Sequence, residues 1–220
     1  ICNLGMVDSY IYGGLYQAGG ICAHCEGTIE YCYNTGHICG NALASVGGIT
    51  ASLSYDGLIS CCYNTGYIEV VKINGSGLGQ VGGIAGTAYY NDGGTIINCF
   101  NTGTIIGRED AVVGGIAGWG GLGIYNCYNV GSIASFEDDG TLVGWLMQAY
   151  QNSGLYYYQS NECLTGASEP DGDRVAYGTA LSKEEMKLQS SFAEFDFDTV
   201  WTMGGNDQYP YPELRGMALD

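Results

Sequence analysis

The chain has 220 residues, with 23 Asp and Glu against six Lys and Arg, so its formal charge is −17, and 46 % of its residues are hydrophobic. That balance excludes a nucleic-acid binder, which needs a basic footprint to neutralise phosphates, and it repels anionic membrane surfaces and polyanionic sugars. No run of about 18 apolar residues reads as a membrane span, and 38 glycines with only three prolines and 19 tyrosines fit a packed chain better than a linker or a disordered one.

From the first residues onward one motif returns. Cys-Tyr-Asn-Thr-Gly runs from Cys32 to Gly36 and from Cys62 to Gly66; it is Cys-Phe-Asn-Thr-Gly at Cys99 to Gly103 and Cys-Tyr-Asn-Val-Gly at Cys127 to Gly131. A truncated copy, Cys2-Asn3-Leu4-Gly5, opens the chain, so the anchoring asparagines are Asn3, Asn34, Asn64, Asn101 and Asn129. Repeats about 30 residues apart predict a solenoid, whose units are too small to bury a core alone and stack on one another. The chain starts at Ile1 in mid-repeat with no leader, as expected of a piece of a longer, processed protein.

Within a repeat the copies align in columns: Ile29, Ile59, Ile96 and Ile124; then the four cysteines; then Tyr33, Tyr63, Phe100 and Tyr128; then the asparagines. A β-branched column follows at Val7, Ile38, Ile68, Ile105 and Ile133. Short β-rich runs broken by Asn-Thr-Gly read as strands and tight turns. Strand alternation sets Cys and Asn on one face and the aromatic on the other. The thiols are expected inside as small apolar groups, with each asparagine bonding to the next at a bend and the following glycine supplying positive φ. The pairs Gly19-Gly20, Gly47-Gly48, Gly82-Gly83 and Gly114-Gly115 predict a second corner without room for a side chain. Trp145 replaces the second glycine in the last copy, which predicts the end of the regular array there. The fold class is therefore all-β: a parallel β-helix, right-handed like other parallel crossovers, over residues 1–154. The insertion at Asn74 to Gln80 is expected to form a projecting loop.

Residues 155–220 lose the repeat. Ser182-Lys183-Glu184-Glu185 reads as a capping box opening a helix from Lys183 to about Ser190. A solenoid end leaves strand edges and core open, so this segment is expected to be a small α+β cap with one short helix.

The run Ile-x-x-Cys-Tyr-Asn-Thr-Gly-x-Ile followed by Val-Gly-Gly-Ile-Ala-Gly resembles the GLUG repeat of bacterial surface proteins, also found in the trunk of IgA proteases. The stretch from Phe195 to Trp201 and then Tyr209-Pro210-Tyr211-Pro212-Glu213-Leu214 is similar to what closes such arrays. The resemblance covers nearly the whole chain. It implies an extracellular or cell-surface β-helical module; it does not imply protease activity, because the His-Glu-x-x-His metal signature is absent and the histidines are only His24 and His37.

Ten cysteines in an extracellular chain invite a disulfide framework, but four share one stacked column, which is a packing position. Cys22, His24, Cys25, His37 and Cys39 could collect zinc; alignment opposes it, since Cys22 falls in a core strand and His37 falls where Tyr67 and Thr104 stand. The sequence thus predicts no metal and no cofactor. The candidate ligand-binding residues are Tyr33, Tyr63, Phe100 and Tyr128, a ladder able to stack on sugar rings, weighed against mutual stacking for stability. No catalytic residues are predicted: Glu137-Asp138-Asp139 reads as a solvated turn, and Glu169, Asp171 and Asp173 lack the EF-hand spacing for calcium. The function read from the sequence is a non-catalytic surface module, structural or adhesive, whose partner is a glycan or a host-surface protein. A filament subunit joining end to end is the alternative, and a carbohydrate-active enzyme comes third.

Overall fold

The structure, a computed structural model, describes residues 1–41, 43–71, 79–88, 94–107, 111–119, 123–135, 141–145, 152–158, 178–205, 207 and 209–217. The chain is an all-β solenoid of parallel sheets. The first sheet stacks Gly5–Met6, Tyr33–Asn34, Tyr63–Asn64 and Phe100–Asn101 on the end of Gly123–Asn129, with Thr28–Glu30, Leu58–Ser60 and Thr95–Ile97 on its beginning. The second stacks Tyr10–Tyr12, His37–Asn41, Tyr67–Val71, Ile105–Gly107 and Ile133–Ser135. The third is built from the Val-Gly-Gly segments and the strands that follow them, Cys22–Cys25 and Thr50–Leu53 among these.

Like residue stands on like. Ile29, Ile59, Ile96 and Ile124 are in register, as are the aromatics and the asparagines from Tyr33-Asn34 to Tyr128-Asn129. The interior holds these isoleucines with the four column cysteines and, behind the second sheet, Ile38, Ile68, Ile105 and Ile133.

Two ladders run through the core at the bends. Asn34 Nδ2 donates to Asn64 Oδ1 (2.8 Å), Asn64 to Asn101 (2.7 Å) and Asn101 to Asn129 (2.8 Å). Each amide also bonds the backbone of its own turn, as Asn64 does with the carbonyl and the N–H of Gly66. The cysteines do more than pack. The backbone N–H of Cys32 donates to Cys62 Sγ, that of Cys62 to Cys99 Sγ and that of Cys99 to Cys127 Sγ, at 3.3–3.4 Å. Each thiol in turn donates to a carbonyl two residues earlier. The thiol thus closes the backbone bonding of the bend between two strands, which an alkyl side chain of similar size cannot do.

The glycines serve close approach rather than positive φ. None of Gly36, Gly66, Gly103 and Gly131 is left-handed, but a Cβ on Gly66, Gly103 or Gly131 would lie 2.0–2.1 Å from the carbonyl oxygen of the preceding coil's glycine. At the Gly-Gly corner a Cβ on Gly48 or Gly83 would meet the next coil's carbonyl at 2.1 Å. The left-handed corner lies elsewhere, at Asn3, Tyr31, Cys61, Asn98 and Asn126, with φ between 49° and 55°. Asparagine tolerates that region and tyrosine does not. Tyr31→Asn, at an exposed site, is expected to stabilise the fold by about 0.5–1 kcal/mol, read as a higher urea midpoint at unchanged slope.

That corner also corrects the register of the first coil. Asn3 stands with Tyr31 and Cys61, and Met6, not Asn3, pairs with Asn34. Gly5 lies opposite Tyr33, so the opening Cys2-Asn3 is not the Cys-Asn of the later copies. Ile11, not Val7, pairs with Ile38, and Val7 is exposed.

Among the described residues the second sheet ends at Ile133–Ser135 and the third at Thr141–Trp145, which pairs with Val112–Trp119 through a register shift, while the first sheet alone continues through Asn152–Tyr158 to Thr179–Leu181. The capping box forms: the Ser182 N–H donates to Glu185 Oε2 (2.8 Å) and the Glu185 N–H to Ser182 Oγ (3.3 Å). It opens two 3₁₀ turns, Glu185–Lys187 and Gln189–Ser191, in place of one α-helix. An antiparallel pair, Trp201–Met203 with Pro212–Leu214, completes the segment. It lies against the outer face of the first sheet, with Met186, Phe192, Phe195, Trp201 and Leu214 in one cluster with the aromatic column. That outer face is apolar, and it takes the cover that the sequence assigns to the solenoid end.

Candidate functional site

Tyr33, Tyr63, Phe100 and Tyr128 form the expected ladder, with ring centroids 5.0, 5.0 and 5.2 Å apart and planes within 11° of parallel. They stack on one another and lie beneath the C-terminal segment. Tyr63, Phe100 and Tyr128 are each no more than 1 % exposed, and only Tyr33 keeps a half-buried ring. Trp201 lies 6.1 Å from Phe100 and 5.9 Å from Tyr128, and Phe195 stacks on Trp201 at 4.5 Å. The Tyr128 hydroxyl donates to the Pro212 carbonyl and accepts from the Tyr209 hydroxyl; burial pushes both phenols well above their ordinary range. A sugar ring has no access to the last three positions in this arrangement, because residues of the same chain already occupy their faces.

The structure separates the cysteines and histidines that could have met over zinc. Cys22, His24 and Cys25 lie on the third sheet, whereas His37 and Cys39 lie on the second. Among the described residues no three His, Cys, Asp or Glu side chains converge as a metal site requires. Cys163, Glu137, Asp138, Asp139, Glu169, Asp171, Asp173 and most of the Asn74 to Gln80 insertion lie outside the described residues.

Cys22 is nonetheless distinctive. Its interaction with the neighbouring Cys25 side chain, helped by Thr50 Oγ1 at 3.5 Å, brings its pKa down to about 6, while the same interaction pushes Cys25 up, whose thiol donates to the Gly27 carbonyl at 3.2 Å. The column thiols Cys32, Cys62 and Cys99 are pushed up too, Cys32 first by its bond with Cys62 and the other two first by burial. Half-exposed Cys22 is therefore expected to be alkylated by iodoacetamide at a rate that rises through about pH 6 and then levels, as its thiolate fraction does. Mass spectrometry of a Cys2→Ser, Cys163→Ser chain measures this, with the column thiols unmodified.

The outer face of the second sheet carries a group of side chains that no column of like residues marks. Register places Tyr10, His37 and Tyr67 side by side on successive coils, and Tyr12, Cys39 and Glu69 two residues on. The alternation that sends Ile11, Ile38 and Ile68 inward turns all six outward. Tyr10 and Tyr67 meet the His37 ring edge-on, at 4.9 and 4.8 Å. His37 Nε2 lies 3.1 Å from Glu69 Oε1, the Tyr67 hydroxyl donates to Glu69 Oε2 at 3.5 Å, and the Tyr12 hydroxyl donates to Asn41 Oδ1 at 2.9 Å. Tyr10 is 65 % and Tyr12 52 % exposed. The face therefore offers open aromatic rings beside a carboxylate, an imidazole and phenols held by one another. Each of these residues differs from its neighbours along the stack, and the one sequence signal is that His37 and Tyr67 share an alignment column.

Residues 77–106 match the model of a family described as the GLUG motif. Among solved structures the chain resembles a crystal structure from Bacteroides ovatus, provisionally described as an immunoglobulin A1 protease. Identity is 19 % and the TM-score 0.53, over 96 % of this chain and 76 % of that one. At that identity the likeness concerns the fold. Among curated proteins none matches the chain in sequence.

Proposed function

We propose that this chain, a GLUG-repeat β-solenoid, is a non-catalytic structural and adhesive module of a bacterial cell surface. One observation carries the reading. The interior is a set of side-chain ladders that join coil to coil, while among the described residues the outer face of the second sheet changes its side chains from coil to coil. A frame with constant joints and a variable exposed face is built to hold and present groups. Similarity to a protein provisionally described as an immunoglobulin A1 protease fits an extracellular setting.

The test is solid-phase binding of the purified chain to immobilised host-surface proteins and glycans, beside a hydrolysis assay on immunoglobulin A1 and on neutral polysaccharides. Saturable binding with no turnover is expected. Turnover that disappears when one carboxylate is removed overturns the reading in favour of an enzyme.

A further inference from the structure

We propose that the outer face of the second sheet is a binding site for a neutral saccharide, with a pyranose ring resting on Tyr10 and Tyr12 and its hydroxyls bonded to Glu69 and His37. The proposal rests on the adhesive reading above and names its ligand class and its site.

Three features select that ligand. Exposed tyrosines offer rigid aromatic area against which the apolar C–H face of a sugar ring can lie, at little cost in side-chain entropy. Glu69 and the Tyr12 and Tyr67 hydroxyl oxygens, whose own protons go to Asn41 and Glu69, set acceptors on one face beside the His37 ring, and sugar hydroxyls can donate to them. These groups are already held by the His37–Glu69, Tyr67–Glu69 and Tyr12–Asn41 bonds, so binding spends little on ordering them.

Charge removes the competitors. The described residues of this face, Tyr10, Tyr12, His37, Cys39, Asn41, Tyr67 and Glu69, include no Lys or Arg, and the chain as a whole is at −17, so a sulfated or uronic sugar meets net repulsion. A quaternary ammonium ion is drawn to the rings but can donate no hydrogen bond to Glu69 or to the phenol oxygens.

The test is saturation-transfer NMR and calorimetry on the whole chain. The probes are gluco-, manno-, galacto- and xylo-oligosaccharides, with oligogalacturonate as the anionic probe and tetramethylammonium as the cationic one. At least one neutral oligosaccharide is expected to bind. Tyr10→Ala and Glu69→Gln are each expected to weaken it about tenfold or more, a loss of about 1.4 kcal/mol, with the unfolding midpoint unchanged. Absence of neutral-sugar binding at millimolar concentration, indifference to both substitutions, or preference for either charged probe overturns the proposal. A chain that captures an immobilised host protein but no saccharide refutes this site and keeps the adhesive reading. One that captures neither refutes both.

Discussion

Replacing Asn64 by alanine is expected to destabilise the solenoid by roughly 3–5 kcal/mol, since each buried polar group left without a partner costs about 1–3 kcal/mol. Asn64 is fully buried and sits mid-ladder. Its loss takes one partner each from the Nδ2 of Asn34, the Oδ1 of Asn101 and the carbonyl and N–H of Gly66, although Asn34 keeps the Gly36 carbonyl and the Gly66 N–H keeps the Asn34 carbonyl. Urea unfolding measures the effect. Asn64→Asp separates packing from hydrogen bonding, because it keeps the shape and loses the donor toward Asn101. An ionised carboxylate at this position would face the Asn101 oxygen in a buried bend, so its folded pKa must rise above the usual carboxylate value. A raised acid pKa means that the folded state holds its proton longer than the unfolded state does. Stability of this variant should therefore fall as pH increases through the carboxylate range toward 7, and recover on acidification. A ladder whose removal costs under 1 kcal/mol would mean that the coils are joined by their backbones alone.

Trp201→Ala is expected to cost about 3–5 kcal/mol, the range for emptying a buried aromatic site. Trp201 is fully buried between the aromatic column and Phe195, so the cavity would open at the centre of the contact that seals Phe100 and Tyr128. Near-ultraviolet circular dichroism should lose aromatic signal, and a hydrophobic dye should bind the uncovered face. Leu188→Ala, at an exposed position of the same segment, is the control and should stay within about 0.5 kcal/mol. Equal effects from the two would mean that the segment is not anchored through its tryptophan.

The solenoid is legible in the sequence because stacking is translational: a position that must fit between its own copies repeats its residue, and alternation then assigns it a side. The same logic explains the misreadings. In the first coil Gly5 and Met6 stand where the aromatic and the asparagine stand elsewhere, so the eye moves to the nearby Cys2-Asn3 and shifts the register. The aromatic column was legible as outward-facing but not as covered, because its partners lie between Met186 and Leu214 and obey no period. The second-sheet face was nearly invisible for the opposite reason. A surface that recognises something outside the stack has no need to match itself from coil to coil, so Tyr10, His37 and Tyr67 align only once the strands are laid side by side.

The C-terminal segment crosses the coils instead of continuing them, and this changes how the body should respond to tension. In a plain solenoid each coil touches only its neighbours, and the bonds between coils run along the axis, so a pull on the two ends peels one row at a time. Here Trp201 contacts two successive coils through Phe100 and Tyr128, and Tyr209 and Pro212 are bonded to Tyr128. Axial force must shear this strap across several coils before any one of them opens. In single-molecule stretching the covered coils should therefore yield together in one high-force event, where a bare stack would give a staircase of small ones.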